Sequence, residues 1–124
     1  MLDYKKIEVC NLPSRALYVG DIKVSEEGHT FFLSTSEEDV KVEVFFPYIV
    51  YSYMVTDEYF TSDLWIDDPD LYYPFYYREE SAYIDMIKKE PFVLEKYAMY
   101  EVLIVGADRV INVIANHLPE IKIN

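Results

Sequence analysis

Apolar and polar side chains alternate from Val40: Val40, Val42, Val44 and Phe46 share one face of an extended chain, Lys41 and Glu43 the other. A period of two is that of a strand with one buried face, and this is the clearest strand signal present. Pro47 has no N–H to give a ladder, so the strand must bend there or lie on an edge. Tyr48 to Val55, rich in aromatic and β-branched residues, continues as the next strand. Upstream, Ala16, Tyr18, Gly20, Ile22 and Val24 alternate with Leu17, Val19, Asp21 and Lys23. Ser25-Glu26-Glu27-Gly28 is a turn signal, with Gly28 able to take positive φ, and Thr30 to Ser34 returns, so residues 15–35 read as a hairpin. Ile7 to Cys10 reads as a short opening strand ended by Asn11 and Pro13.

The alternation breaks from Asp57 to Asp70 into an acidic, aromatic, proline-containing connection, and Leu71 to Tyr77 forms a short extended segment around Pro74. Ser81 to Lys89 is the best helix candidate: it sets Tyr83, Ile84 and Ile87 on one side, ends in Lys88 and Lys89, and stops before Pro91. Met99 to Val105 is an apolar strand, Gly106-Ala107-Asp108-Arg109 a turn, and Val110 to Ala115 the returning hairpin partner; Pro119 opens a fraying tail. The pattern predicts one α+β domain over residues 1–124, mainly antiparallel β-sheet built of hairpins, with one or two short helices.

Composition narrows the function classes. The chain has 124 residues, 52% of them hydrophobic, which suits one packed core and argues against disorder. Its formal net charge of −12 repels nucleic acid and anionic membranes, and attracts cationic partners. No apolar run approaches the ~20 residues that span a bilayer, and no apolar run follows the first lysines as in a signal peptide; the expected location is the cytoplasm. The single cysteine, Cys10, excludes an internal disulfide and, among Ile7, Val9 and Leu12, is expected to be a small buried side chain.

Candidate catalytic chemistry is sparse. There is no phosphate-cradling glycine loop, nucleophile elbow or HExxH pattern. His29 follows Gly28 in the predicted turn and His117 lies beyond the last predicted strand, so both read as exposed loop residues. Asp67-Asp68-Pro69-Asp70 lacks the glycine and distal glutamate of a calcium loop and reads as a solvated acidic turn. Asp57 and Glu58 are adjacent, so in a strand they point to opposite faces. The expectation is no metal, no cofactor and no enzymatic activity. One asymmetry carries weight: no lysine or arginine occurs between Lys41 and Arg78. That window is crowded instead with carboxylates and aromatic rings. Tyrosine and tryptophan are enriched at binding hot spots, and carboxylates among them steer a cationic partner. The predicted partner-binding residues are Asp57, Glu58, Asp63, Asp67, Asp68 and Asp70, with Tyr59 and Trp65 as anchors.

The order of Thr56-Asp57-Glu58, Pro74-Phe75-Tyr76, Ser81-Ala82-Tyr83-Ile84, Tyr100-Glu101-Val102-Leu103-Ile104, Arg109 to Ala115 and Pro119-Glu120-Ile121 resembles bacterial immunity proteins. These are small cytoplasmic inhibitors that accompany polymorphic or contact-dependent toxins. The likeness spans roughly residues 50–122. It implies a protein without catalytic residues that binds a cognate toxin domain, often a nuclease with a basic substrate site, and covers it. Two other classes stay open: a small β-rich ligand carrier, and a homo-oligomeric structural protein with a self-complementary aromatic patch.

Overall fold

A computed structural model describes residues 4–13, 16–36, 40–57, 73–91 and 97–124. The described residues form nine strands and one helix: β1 (Lys5–Lys6), β2 (Tyr18–Ser25), β3 (Gly28–Ser34), β4 (Lys41–Pro47), β5 (Val50–Asp57), β6 (Phe75–Arg78), α1 (Ala82–Lys88), β7 (Tyr100–Val105), β8 (Arg109–Ala115) and β9 (Glu120–Ile123). They pair antiparallel into a five-stranded sheet of order β1-β6-β7-β8-β5 and a four-stranded sheet of order β2-β3-β4-β9. The mainly antiparallel fold with a short helix is the one the apolar pattern predicts.

The two sheets pack face to face. Phe31, Leu33, Val42, Val44 and Phe46 of the smaller sheet meet Phe75, Val102, Ile104, Ile111, Val113 and Ala115 of the larger in one buried core. Val42, Val44 and Phe46 are the face marked by the alternation, and all three are fully buried. The strand stops at Pro47, opposite Gly28, and the chain then crosses to the other sheet. Two backbone bonds anchor the crossing: Tyr48 N–H donates to the Glu27 carbonyl and Asn116 N–H to that of Ile49. Gly28 is obligatory at its position. Its φ is +149°, and a Cβ there would lie 2.0 Å from the Phe46 carbonyl oxygen.

The larger sheet is buried on its second face as well. Tyr76, Leu103, Val105 and Val110 form one cluster there, with Tyr4 and Tyr73 against it. Ile84 of α1 forms another with Met99 and Ile114. Burial on both faces explains why β7 and β8 read as nearly continuous apolar runs. The helix is short and cleanly capped: the Ser81 hydroxyl accepts the Ile84 N–H at 3.1 Å, and Lys88 closes the last turn.

Four expectations change. The opening strand is Lys5–Lys6, not Ile7 to Cys10, because β1 pairs with Tyr76 and Tyr77 while Ile7 and Val9 turn to pack on the core. Cys10 is exposed, on the turn that ends this segment. His29 lies within β3, half-buried, since the ladder starts at Gly28 itself. Residues beyond Pro119 are no frayed tail: β9 pairs with β4 from Glu120 to Ile123.

Candidate functional site

Of the predicted partner-binding residues, Asp57 is placed: it is exposed at the end of β5, in register with Arg109 of β8. Glu58, Tyr59, Asp63, Trp65, Asp67, Asp68 and Asp70 lie outside the described residues. The neighbouring aromatics divide. Phe75 and Tyr76 are core, Tyr51, Tyr73 and Tyr77 are half-buried, and Tyr48 and Tyr53 face solvent.

The strand that leads into the acidic stretch is an edge. β5 pairs with β8 on one side and, among the described residues, with nothing on the other. Before Asp57 its exposed side chains are apolar: Tyr53 is 38%, Met54 48% and Val55 41% accessible. Bond directions follow from the neighbouring hairpin. Gly106 N–H donates to the Arg109 carbonyl, so odd-numbered β8 residues face β7; Asn116 N–H donates to Ile49, so even-numbered ones face β5. Antiparallel pairing alternates. Ser52, Met54 and Thr56, opposite Ile114, Asn112 and Val110, therefore bond to β8, while Tyr53 and Val55 direct N–H and C=O outward. The Tyr53 ring closes this flank of the core, edge-on to Phe31 at 5.5 Å and to His29 at 5.8 Å between centroids. Desolvation there holds the His29 pKa below its ordinary value, and its Nδ1 is buried without a hydrogen-bond partner.

On the central strand of the same sheet stands a buried carboxylate. Glu101 is 1% exposed on β7. Tyr4 OH donates to its Oε2 at 2.6 Å, Asn112 Nδ2 to the same oxygen at 3.1 Å, and the Arg78 guanidinium reaches both oxygens at 3.3 Å. Arg78 also covers the Tyr4 ring, 4.3 Å from its centroid. Burial opposes ionisation of Glu101, but the Ser81 and Tyr4 hydroxyls, the Arg78 charge and the Asn112 amide outweigh it and hold the pKa below the usual carboxylate range. The Tyr4 hydroxyl is driven far up by burial, then by its bond to Glu101 and that carboxylate's charge. Ser81 thus serves twice, capping α1 and donating to Glu101. A carboxylate with this many donors is a fastening between β1, β6, β7, β8 and the helix start, not a base with free lone pairs.

Comparison with family models, curated proteins and solved structures finds no match for this chain.

The other candidate groups stay apart. His117 is exposed between β8 and β9, as expected of a loop histidine, and His29 faces the β5 flank. Cys10 borders an open cleft of about 500 Å³, lined by Ile7, Glu8, Val9 and Pro119 with β9 residues. Among the described residues no group of three or more His, Cys, Asp or Glu side chains is placed to hold a metal ion, and no helix is long and apolar enough to cross a membrane. Sequence reasoning passed over Glu101 as part of an apolar strand. The available signal was one acidic residue at the head of a run that is otherwise apolar from Met99 to Val105, opposite a hairpin partner with one amide, Asn112.

Proposed function

We propose that the chain is a protein-binding domain that neutralises a cationic partner, in the manner of the immunity proteins it resembles. The observation that carries this is the stretch from Val42 to Tyr77, without a single lysine or arginine but with carboxylates and aromatic rings throughout. Asp57, the member of the stretch that ends β5, is solvent-facing. Such a stretch suits a partner whose own site is basic, such as the substrate cleft of a nuclease toxin. Long-range attraction would speed encounter, and Tyr59 and Trp65 would supply rigid contact area. The space between the sheets that a small-ligand carrier would keep open is packed here with Phe31, Phe46 and Phe75, which favours protein binding over the carrier reading.

The test is capture of a basic toxin domain encoded beside this chain, followed by rescue of cells that express the toxin. Association should slow with added salt, and reversing Asp67 and Asp68 to lysine should slow it at low ionic strength on the order of tenfold while dissociation changes less. An association rate indifferent to both changes would overturn the electrostatic part of the proposal; failure to rescue would overturn the neutralising part.

A further inference from the structure

We infer that two copies of this chain join through β5, extending the five-stranded sheet across a two-fold axis at Met54. This goes beyond the partner named above and stands or falls separately from it.

A sheet edge offers a row of unpaired backbone groups, and proteins guard it with short strands, charges or bulges. Among the described residues, three of the four sheet edges are guarded. β1 has two residues, both lysine. β2 carries Asp21 and Lys23 around a bulge between Val19 and Ile22, and Asp108 Oδ1 takes the Val19 N–H. β9 has four residues, with Glu120 and Lys122 exposed. β5 has eight residues and no charge before Asp57, which sits opposite Arg109. The edge is therefore apolar and locally neutral. A cationic strand gains no charge contact along residues 50–56, whereas a neutral, apolar strand does fit, and the β5 of a second copy is such a strand.

Its register is self-consistent. Tyr53 and Val55 direct their bonding groups outward, and an antiparallel copy that pairs them with each other sets Tyr53 opposite Val55 of the second copy and Val55 opposite its Tyr53. Four backbone hydrogen bonds then form about the axis. Met54 meets its own copy on one face, aromatic Tyr53 meets β-branched Val55 on the other, and Ser52 lies opposite Thr56; such cross-strand pairs are favourable. No like charges oppose one another. The two Asp57 residues end six residues apart along the ladder, about 20 Å, beyond the ~8 Å screening length at physiological salt. Since each copy carries −12, added salt should tighten this association, the reverse of its effect on a cationic partner.

Sedimentation velocity over a concentration series tests the inference on the full chain, with circular dichroism as the check on folding. A reversible dimer is expected. Val55→Pro removes an N–H that β8 does not use, so the ladder survives while two of the four new bonds are lost, weakening the dimer on the order of tenfold or more. Met54→Lys sets like charges across the axis and should weaken it by a comparable factor; it decides the matter if the proline variant fails to fold. In a Cys10→Ser background, Met54→Cys should oxidise to a disulfide-linked dimer, since facing residues of a non-hydrogen-bonded pair lie about 4.5 Å apart at Cα. Lys23→Cys, on the smaller sheet, should not. A monomer up to high micromolar concentration, a dimer untouched by Met54→Lys, or equal cross-linking at both cysteine positions would each overturn the inference.

Discussion

The five-stranded sheet ends in two opposite ways. At the β1 end the last strand is two lysines long, and Tyr4 beside it is fastened to buried Glu101, under an arginine that covers its ring. At the β5 end the last strand is eight residues long, apolar before Asp57 and, among the described residues, open. One end spends polar chemistry on closure; the other keeps its backbone available. The contrast teaches that the same antiparallel ladder is terminated or left extendable by a few side chains, and that charge is what separates the two.

Removing the fastening should have the largest effect. Glu101→Ala leaves Arg78, Asn112 and Tyr4 without their common acceptor. Breaking a buried pair of this kind costs about 3 kcal/mol, a fall in Tm of about 10 °C for a domain of this size, read by thermal melting. At the other end, Tyr53→Ala strips the ring that closes the core beside Phe31 and His29. The ring is partly exposed, so about 2 kcal/mol is expected, from urea unfolding. Tyr4→Phe keeps the ring under Arg78 and removes one donor to a charged acceptor, for about 1.5 kcal/mol. Met54→Lys, at an exposed edge position, should shift the stability of the folded monomer by less than about 0.5 kcal/mol. If Met54→Lys destabilised the monomer as much as Glu101→Ala, the two ends would not differ in the way described.

How far this contrast was legible in the sequence depends on the length of each signal. The Val40 to Phe46 alternation is long enough to give strand and face together, the Val110 to Ala115 run gives a strand, and the helix showed its apolar side and its stop before Pro91. β2 was harder. Its bulge between Val19 and Ile22 shifts the phase, so that Val19 and Ile22 both pack on the core although strict alternation puts them on opposite faces. β9 alternates over only four residues behind a proline, too few to distinguish from a tail. β5 was recognised as a strand, but edge position is a property of sheet order, which no local pattern carries. Glu101 was hidden for the related reason that a carboxylate is stable in an apolar strand only if donors arrive from elsewhere, and Tyr4 comes from 97 residues away. Of the acidic residues predicted to bind a partner, Asp57 is the one whose position the structure describes.

The smallest effect separates His29, which packs on the β5 end through Tyr53, from Glu101 by pH. His29, beside Tyr53, has a folded pKa below its ordinary 6.5 because burial disfavours the imidazolium. The unfolded chain therefore binds its proton more readily, and stability falls as pH drops below 6.5, levelling off below the folded value. Glu101 behaves as an acid held below its ordinary 4.5: its contribution is present above that value and is lost as pH falls through the lower, folded one. Urea midpoints measured from about pH 7.5 to about pH 3 should thus show a shallow loss near pH 6, then a steeper one below pH 4.5. His29→Gln should flatten the first step and leave the second; Glu101→Gln should do the reverse, from a lower starting stability. If one substitution removed both steps, His29 on β3 and Glu101 on β7 would be coupled through the core between the two sheets rather than independent.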